Sequence, residues 1–203
     1  LNTTSFPSVY EDKTRGVSVA LSTQAIANHD LHLALHYKDD RHRDTNPKSP
    51  VKDYRDVTTS LAVEDGITLG GGYNLRLGAS HEQRDARQVY FWPTGKTSAN
   101  NALIELQRNF GEHGQLFASA SHKTRFPTIK DRYSARMGSA LPNPDLKPEV
   151  ALHVELGWRG RTDRWSWDVA LYRSRVRREL LSLTDATGAA LGTVNAGRTI
   201  HQG

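Results

Sequence analysis

Cysteine is absent from the 203 residues. That excludes a disulfide framework, thiolate metal sites and cysteine nucleophiles. It is compatible with an oxidising compartment, where a stray thiol is a liability. No apolar run approaches the roughly 18 residues of a transmembrane helix. Mean hydropathy is low, which argues against a helical membrane protein. It says nothing against a transmembrane barrel, whose strands are apolar on one face only. A dense basic patch is also lacking: the net charge is +5, with basic and acidic residues mixed along most of the chain. No nucleic-acid surface is expected from that distribution. The first ten residues, "LNTTSFPSVY", have neither a basic start nor an apolar core, so they do not read as a signal peptide. The expectation is either a cytoplasmic protein or an internal piece of a longer chain.

What is present is alternation. In "VALHVELGW" the positions Val150, Leu152, Val154, Leu156 and Trp158 are apolar, with Ala151, His153, Glu155 and Gly157 between them. In a strand these two sets occupy opposite faces. "DLHLALHYK" repeats the pattern with Leu31, Leu33, Leu35 and Tyr37, and "GVSVALST" and "WSWDVALY" follow it. A helical period fits none of these as well. The spacing predicts strands near 15–26, 30–43, 54–64, 74–85, 100–110, 115–126, 149–160, 164–180 and 193–203. Short gaps surround Asn28, Gly70 to Tyr73, Gly111 to Gly114, and Arg161 to Asp163. Long polar gaps are expected near 44–53, 86–99, 127–148 and 182–192. Short turns alternating with long loops are the signature of an outer-membrane barrel. The fold class predicted is all-β, an antiparallel up-and-down transmembrane β-barrel, here a partial barrel of about nine strands.

Membrane placement follows from the same pattern. Trp158, Trp165 and Trp167 flank one short turn, and Phe110 and Phe117 flank another. Rings at strand ends suit an interfacial girdle; an ordinary sheet core also uses aromatics. In "YRSRVRREL" the apolar face ends at Leu171 and Arg173, Arg175 and Arg177 continue it. Arginine facing lipid costs on the order of 2–4 kcal/mol at the midplane and little near the interface. These three are therefore expected above the hydrocarbon.

Two motifs bracket the longest gap. The strand "FASASHKTRFP" ends at Arg125-Phe126-Pro127, and "NPDLKPE", Asn143 to Glu149, opens the next. Pro144 and Pro148 each remove an amide donor and fix φ, and the residues before them are pushed to extended conformations. The second motif is thus stiff and sets where the strand begins. With the strands around it, this pair resembles the TonB-dependent outer-membrane receptors. There a Phe-Arg-Ala-Pro-like box ends one strand and Asn-Pro-Asp/Asn-Leu-Lys-Pro-Glu opens the next. Arg125 and Pro127 match the first box, while Thr124 and Phe126 depart from it. Asn143, Pro144, Asp145, Leu146, Lys147, Pro148 and Glu149 all match the second, and Glu155 and Gly157 fit its continuation. The terminal "NAGRTIHQG" resembles a later strand of the family.

The resemblance implies a non-enzymatic transporter of about 22 strands with a plugged lumen. TonB would act through the plug. Ferric siderophores or similar scarce nutrients would be the ligands, with outer-membrane lipid around the wall and no cofactor. No plug is seen ahead of Leu1 and no terminal aromatic insertion signal at Gly203, so residues 1–203 are expected to be one partial barrel without plug or final strands. Such a wall alone is expected neither to transport nor to bind a siderophore tightly. Two alternatives stand beside it: a small complete outer-membrane barrel, porin-like or enzymatic, and a soluble all-β binding module.

Candidate ligand-binding residues are His32, His36, His42, Arg173 and Arg175. The three histidines share one strand face, but residues four apart lie roughly 13 Å apart at ~3.3 Å per residue. One metal with bonds near ~2 Å cannot bridge that, so no metal site is assigned and solvated lumen residues are the plainer reading. The arginines suit lipopolysaccharide phosphates, an acidic ligand, or simply a solvated strand end. "PTGKTS" lacks the glycine that a phosphate loop needs before Gly95, since Tyr90 stands there.

Overall fold

The structure is a computed structural model that describes residues 8–111, 114–134 and 141–203. Eleven strands and one short helix follow in order: β1 Val9–Thr23, β2 His29–Asn46, β3 Ser49–Gly70, β4 Tyr73–Val89, β5 Gly95–Asn109, β6 Gln115–Arg125, α1 Ile129–Tyr133, β7 Glu149–Arg161, β8 Ser166–Arg177, β9 Leu180–Thr184, β10 Ala190–Asn195 and β11 Arg198–Gln202. Strands β1 to β8, then β11, form one sheet of nine in sequence order, every pair antiparallel. The sheet is not closed; β1 and β11 are its edges. Strands β9 and β10 form a separate hairpin between β8 and β11.

Register carries the predicted alternation across the sheet. Leu77, Ile104, Ala120 and Val154 are successive partners, as are Leu75, Leu106, Ala118, Leu156 and Leu171. These rows form one apolar face that nothing among the described residues covers: Leu152, Val154, Leu156 and Trp158 are 44–49% exposed. His153 and Glu155 lie on the opposite face, where they hydrogen-bond at 3.0 Å. At the turn end, Trp158 and Trp167 meet edge-on at 5.2 Å on the apolar side, and Trp165 is 75% exposed. Phe110 joins this girdle. Phe117 does not. It turns to the polar face, is buried, and lies over Gly157, with the Arg159 guanidinium 5.1 Å from its ring. Alternation from Leu116 and Ala118 already places it there; its position near a turn had suggested otherwise.

The largest difference from the sequence reading is strand length at the other end. No loop occupies 44–53: β2 runs to Asn46, β3 starts at Ser49, and Asn46 accepts the Lys48 amide at 2.8 Å to close the turn. Strand β4 likewise continues to Val89, and most of 182–192 is the β9–β10 hairpin, its turn held by Asp185. The ends of β2 and β3 are mostly polar on both faces, a register shift near Arg55 and Asp56 breaks the alternation in β4, and β9 and β10 are too short to show it. None therefore carries a clear period-two signal, although the backbone ladder continues through them. Only the connection at 126–148 remains long. Among the described residues, one isolated parallel bridge, Leu141 to Gly192, ties it to β10.

Candidate functional site

The long connection does not stand away from the sheet. Its residues 126–134 fold back over the polar face of β3 and β4. Thr128 starts α1 with a reciprocal cap: its hydroxyl accepts the Asp131 amide at 3.1 Å, and the Asp131 carboxylate accepts the Thr128 amide at 2.9 Å. The single turn that follows presents Arg132 and Tyr133, both buried. Arg132 is 2% exposed and pairs with the Asp56 carboxylate of β3. It also donates to the Tyr133 hydroxyl at 2.8 Å. Arg84 of β4 donates to the Pro127 carbonyl at 2.7 Å, and its guanidinium lies 5.6 Å from the centre of the Phe126 ring. Two cations therefore flank one carboxylate under the loop. Burial pushes the Asp56 carboxyl upward against the pull of Arg132 and Arg84. Burial and the neighbouring Arg132 lower Arg84.

Beside this cluster runs an aromatic file. Tyr133 stacks on Tyr54 at 4.9 Å, Tyr54 faces His42 at 5.9 Å, and His42 stacks on Tyr10 at 5.9 Å. A register shift near Arg55 and Asp56 turns both Ala86 and Val89 to this face, where they pack with Tyr54 and Tyr133. Burial, then the nearby Asp44, pushes the Tyr54 hydroxyl up to about 12.

The second motif anchors the far end of the connection. Asn143 donates its amide to the Arg132 carbonyl at 2.7 Å and its side chain to Thr193 at 3.2 Å. Leu146 is buried. The Lys147 amide donates to the Asn195 side chain at 2.8 Å, which returns a bond to the Lys147 carbonyl at 2.9 Å and another to Arg178 at 2.9 Å. Glu149 accepts the Leu180 amide at 2.9 Å and meets Arg125, its cross-strand partner, at 3.4 Å. Pro127 of the first box is buried. Thus "NPDLKPE" holds α1 on one side and the β9–β10 hairpin on the other, through the asparagine that begins "NAGRTIHQG".

Of the candidate ligand residues, only His42 reaches this cluster, where it meets Asp12 at 2.7 Å. His36 is held by Ser18 at 2.8 Å and His32 by Asp30 at 3.3 Å, lower on the same face. Arg173 and Arg175 are elsewhere: they pair with Val154 and Leu152 on the apolar face. A shared site with the histidines is ruled out by the pleat. Among the described residues, no group of three or more His, Asp or Glu is placed to hold a metal. Asp56, Arg84, Tyr54 and Arg132 carried no local signal in the sequence, since Asp56 and Arg132 are 76 positions apart.

A family model described as TonB dependent receptor-like, beta-barrel, matches residues 1–203. No curated protein is significantly similar in sequence. Among solved structures, the copper transporter OprC superposes with a TM-score of 0.81 at 14% identity, over 97% of this chain and 34% of that one. The FrpB iron transporter from Neisseria meningitidis gives 0.75 at 14% identity, over 96% and 32%. The siderophore receptor PirA from Pseudomonas aeruginosa gives 0.69 at 16% identity, over 98% and 39%. The chain spans between about a third and two fifths of these relatives' length.

Proposed function

The chain belongs to the TonB-dependent receptor β-barrel family, whose barrels sit in the bacterial outer membrane, and from that premise we propose that it is part of the wall of a transporter for a scarce nutrient, a ferric siderophore or a related small ligand. The family consists of transporters rather than enzymes. TonB would supply the work through a plug inside the closed barrel, and outer-membrane lipid would cover the apolar face. One observation carries the reading: the connection between the two signature boxes is pinned to the polar, inward face at the long-stranded end. That is where a ligand entering from outside first meets the wall. The copper, iron and siderophore proteins that share this fold favour a metal-bearing ligand.

On this reading His42, between Tyr10 and Tyr54, is the ligand-facing member of the histidine set, and His32 and His36 line the path below it. Uptake of radiolabelled ferric siderophores by cells carrying the full-length receptor tests this. Uptake should be saturable and vanish when TonB is deleted. Uptake of a metal-free solute that persists without TonB would overturn it.

A further inference from the structure

Four arginines gather on the apolar face where β7, β8 and β11 run side by side. Arg175 lies between Leu152 and Ile200, Arg173 between Val154 and Gln202, and Arg177 between Val150 and Arg198. Among the described residues none of the four has an acidic partner. The Arg175 Nε is buried without any hydrogen bond. Leu152, Val154, Arg173, Arg175, Arg198 and Ile200 line a depression of about 240 Å³. Like charges so close repel, and guanidinium groups on a lipid-facing wall are costly unless they lie near its edge. Something must offset both effects.

Depth says what. Arg175 stands nine residues beyond Ser166, where β8 leaves the tryptophan girdle. At ~3.3 Å per residue and a tilt of about 45°, that is roughly 21 Å along the membrane normal. The apolar band of such barrels is about 25 Å tall. By the same rule Arg177 lies at the top of that band, Arg175 about 4 Å below it and Arg173, at roughly 16 Å, lower still. The long side chains of the last two extend upward toward the headgroups of the outer leaflet, while Leu152, Val154 and Ile200 remain beside acyl chains.

We propose that this patch binds a phosphorylated lipid of the outer leaflet, its phosphates held by Arg173, Arg175, Arg177 and Arg198 and its acyl chains lying on the aliphatic floor. The guanidinium fork matches phosphate oxygens two at a time, which a lone ammonium does not. The unpartnered Nε of Arg175 gives one such donor. The ligand has both a charged and an apolar half because the patch has both.

The test uses the full-length receptor that carries this wall, in zwitterionic detergent, with bis-phosphorylated lipid A as the probe. Native mass spectrometry counts retained lipid. Wild type should hold lipid A, and Arg175→Gln should weaken retention about tenfold. The triple variant R173Q/R175Q/R198Q should abolish it, with Arg175→Lys intermediate. Melting without lipid should be unchanged or raised in the variants, since repulsion is relieved; this separates lost binding from lost folding. Equal retention by the triple variant, equal retention of dephosphorylated lipid A, or full competition by inorganic phosphate would each overturn the proposal. The last would reduce the patch to a simple anion site. None of these results depends on which nutrient the receptor carries.

Discussion

Replacing Arg132 with methionine should release the connection at 126–148 from the wall while leaving the wall intact. Arg132 is 2% exposed and is the direct partner of Asp56, whose second carboxylate oxygen is buried without a hydrogen bond. Methionine keeps most of the volume but leaves that carboxylate without its partner. Removing one member of a buried ion pair costs about 3–5 kcal/mol. Arg84 remains nearby, and Asp56 can take up a proton, because burial already pushes its carboxyl upward. Both effects favour the lower end, about 3 kcal/mol, or roughly two orders of magnitude in the docked-to-undocked ratio. Hydrogen exchange read by mass spectrometry on the full-length receptor measures it directly. The Asn143 amide, bonded to the Arg132 carbonyl, and the Ser134 amide, bonded to Lys130, should exchange about a hundredfold faster. Amides of β2 and β3 near the turns should not change. The double variant R132M/D56N should recover at least half of the loss, since it removes the unpaired charge as well. Wild-type exchange in Arg132→Met would refute the view that this pair holds the loop. A double variant as loose as the single one would show that packing, not charge, is responsible.

Three further outcomes follow from other contacts. Asn195→Ala removes three hydrogen bonds at the foot of "NPDLKPE". Since water replaces part of each, about 1–2 kcal/mol should be lost, read as faster exchange of the Lys147 amide. Arg55, then Arg41, hold the Asp39 carboxyl at about 2, below the ordinary 3.8. Its contribution, at most about 2 kcal/mol, is present above the ordinary value and lost as pH falls toward 2; Asp39→Asn should flatten the acid side of the unfolding curve, and an unchanged curve would count against the pair. Gly157→Ala would drive a Cβ into the Phe117 ring. It should cost about 1–3 kcal/mol in urea unfolding, and the double variant with Phe117→Leu should regain part of that.

How much of this was legible in the sequence depended on which force wrote each part. Lipid on one side and polar groups on the other impose period two, so Leu152 to Trp158 declared both strand and face. In the upper parts of β2 and β3 most residues on both faces are polar, the period disappears, and the turn at Pro47 and Lys48 was read as a long loop. The stiffness of "NPDLKPE" was readable from its prolines, but its bonds to Asn195 were not, because nothing local ties positions 48 apart. The inner-face cluster was the least legible. Asp56 and Arg84 look like ordinary charges on alternating strands until a turn of helix from another segment covers them. Arg173 and Arg175 were read correctly as a continuation of the apolar face, and the register fixed which residues flank them.

The grip of Arg132 on Asp56 has a mechanical side. The segment that carries the helix leaves the sheet from β6 and is fastened to β3, so it crosses β5 and β4 outside the backbone ladder, with Arg84 of β4 as a stay on the Pro127 carbonyl. At ~4.8 Å between strands, that is a chord of about 14 Å under a bowed surface. A chord of fixed length sets the bow of the arc above it, as a tie-rod sets the rise of a vault. Four strands that hydrogen bonds alone would leave free to flatten are held to one radius from inside. Any ligand that moves the tie must therefore also bend the wall.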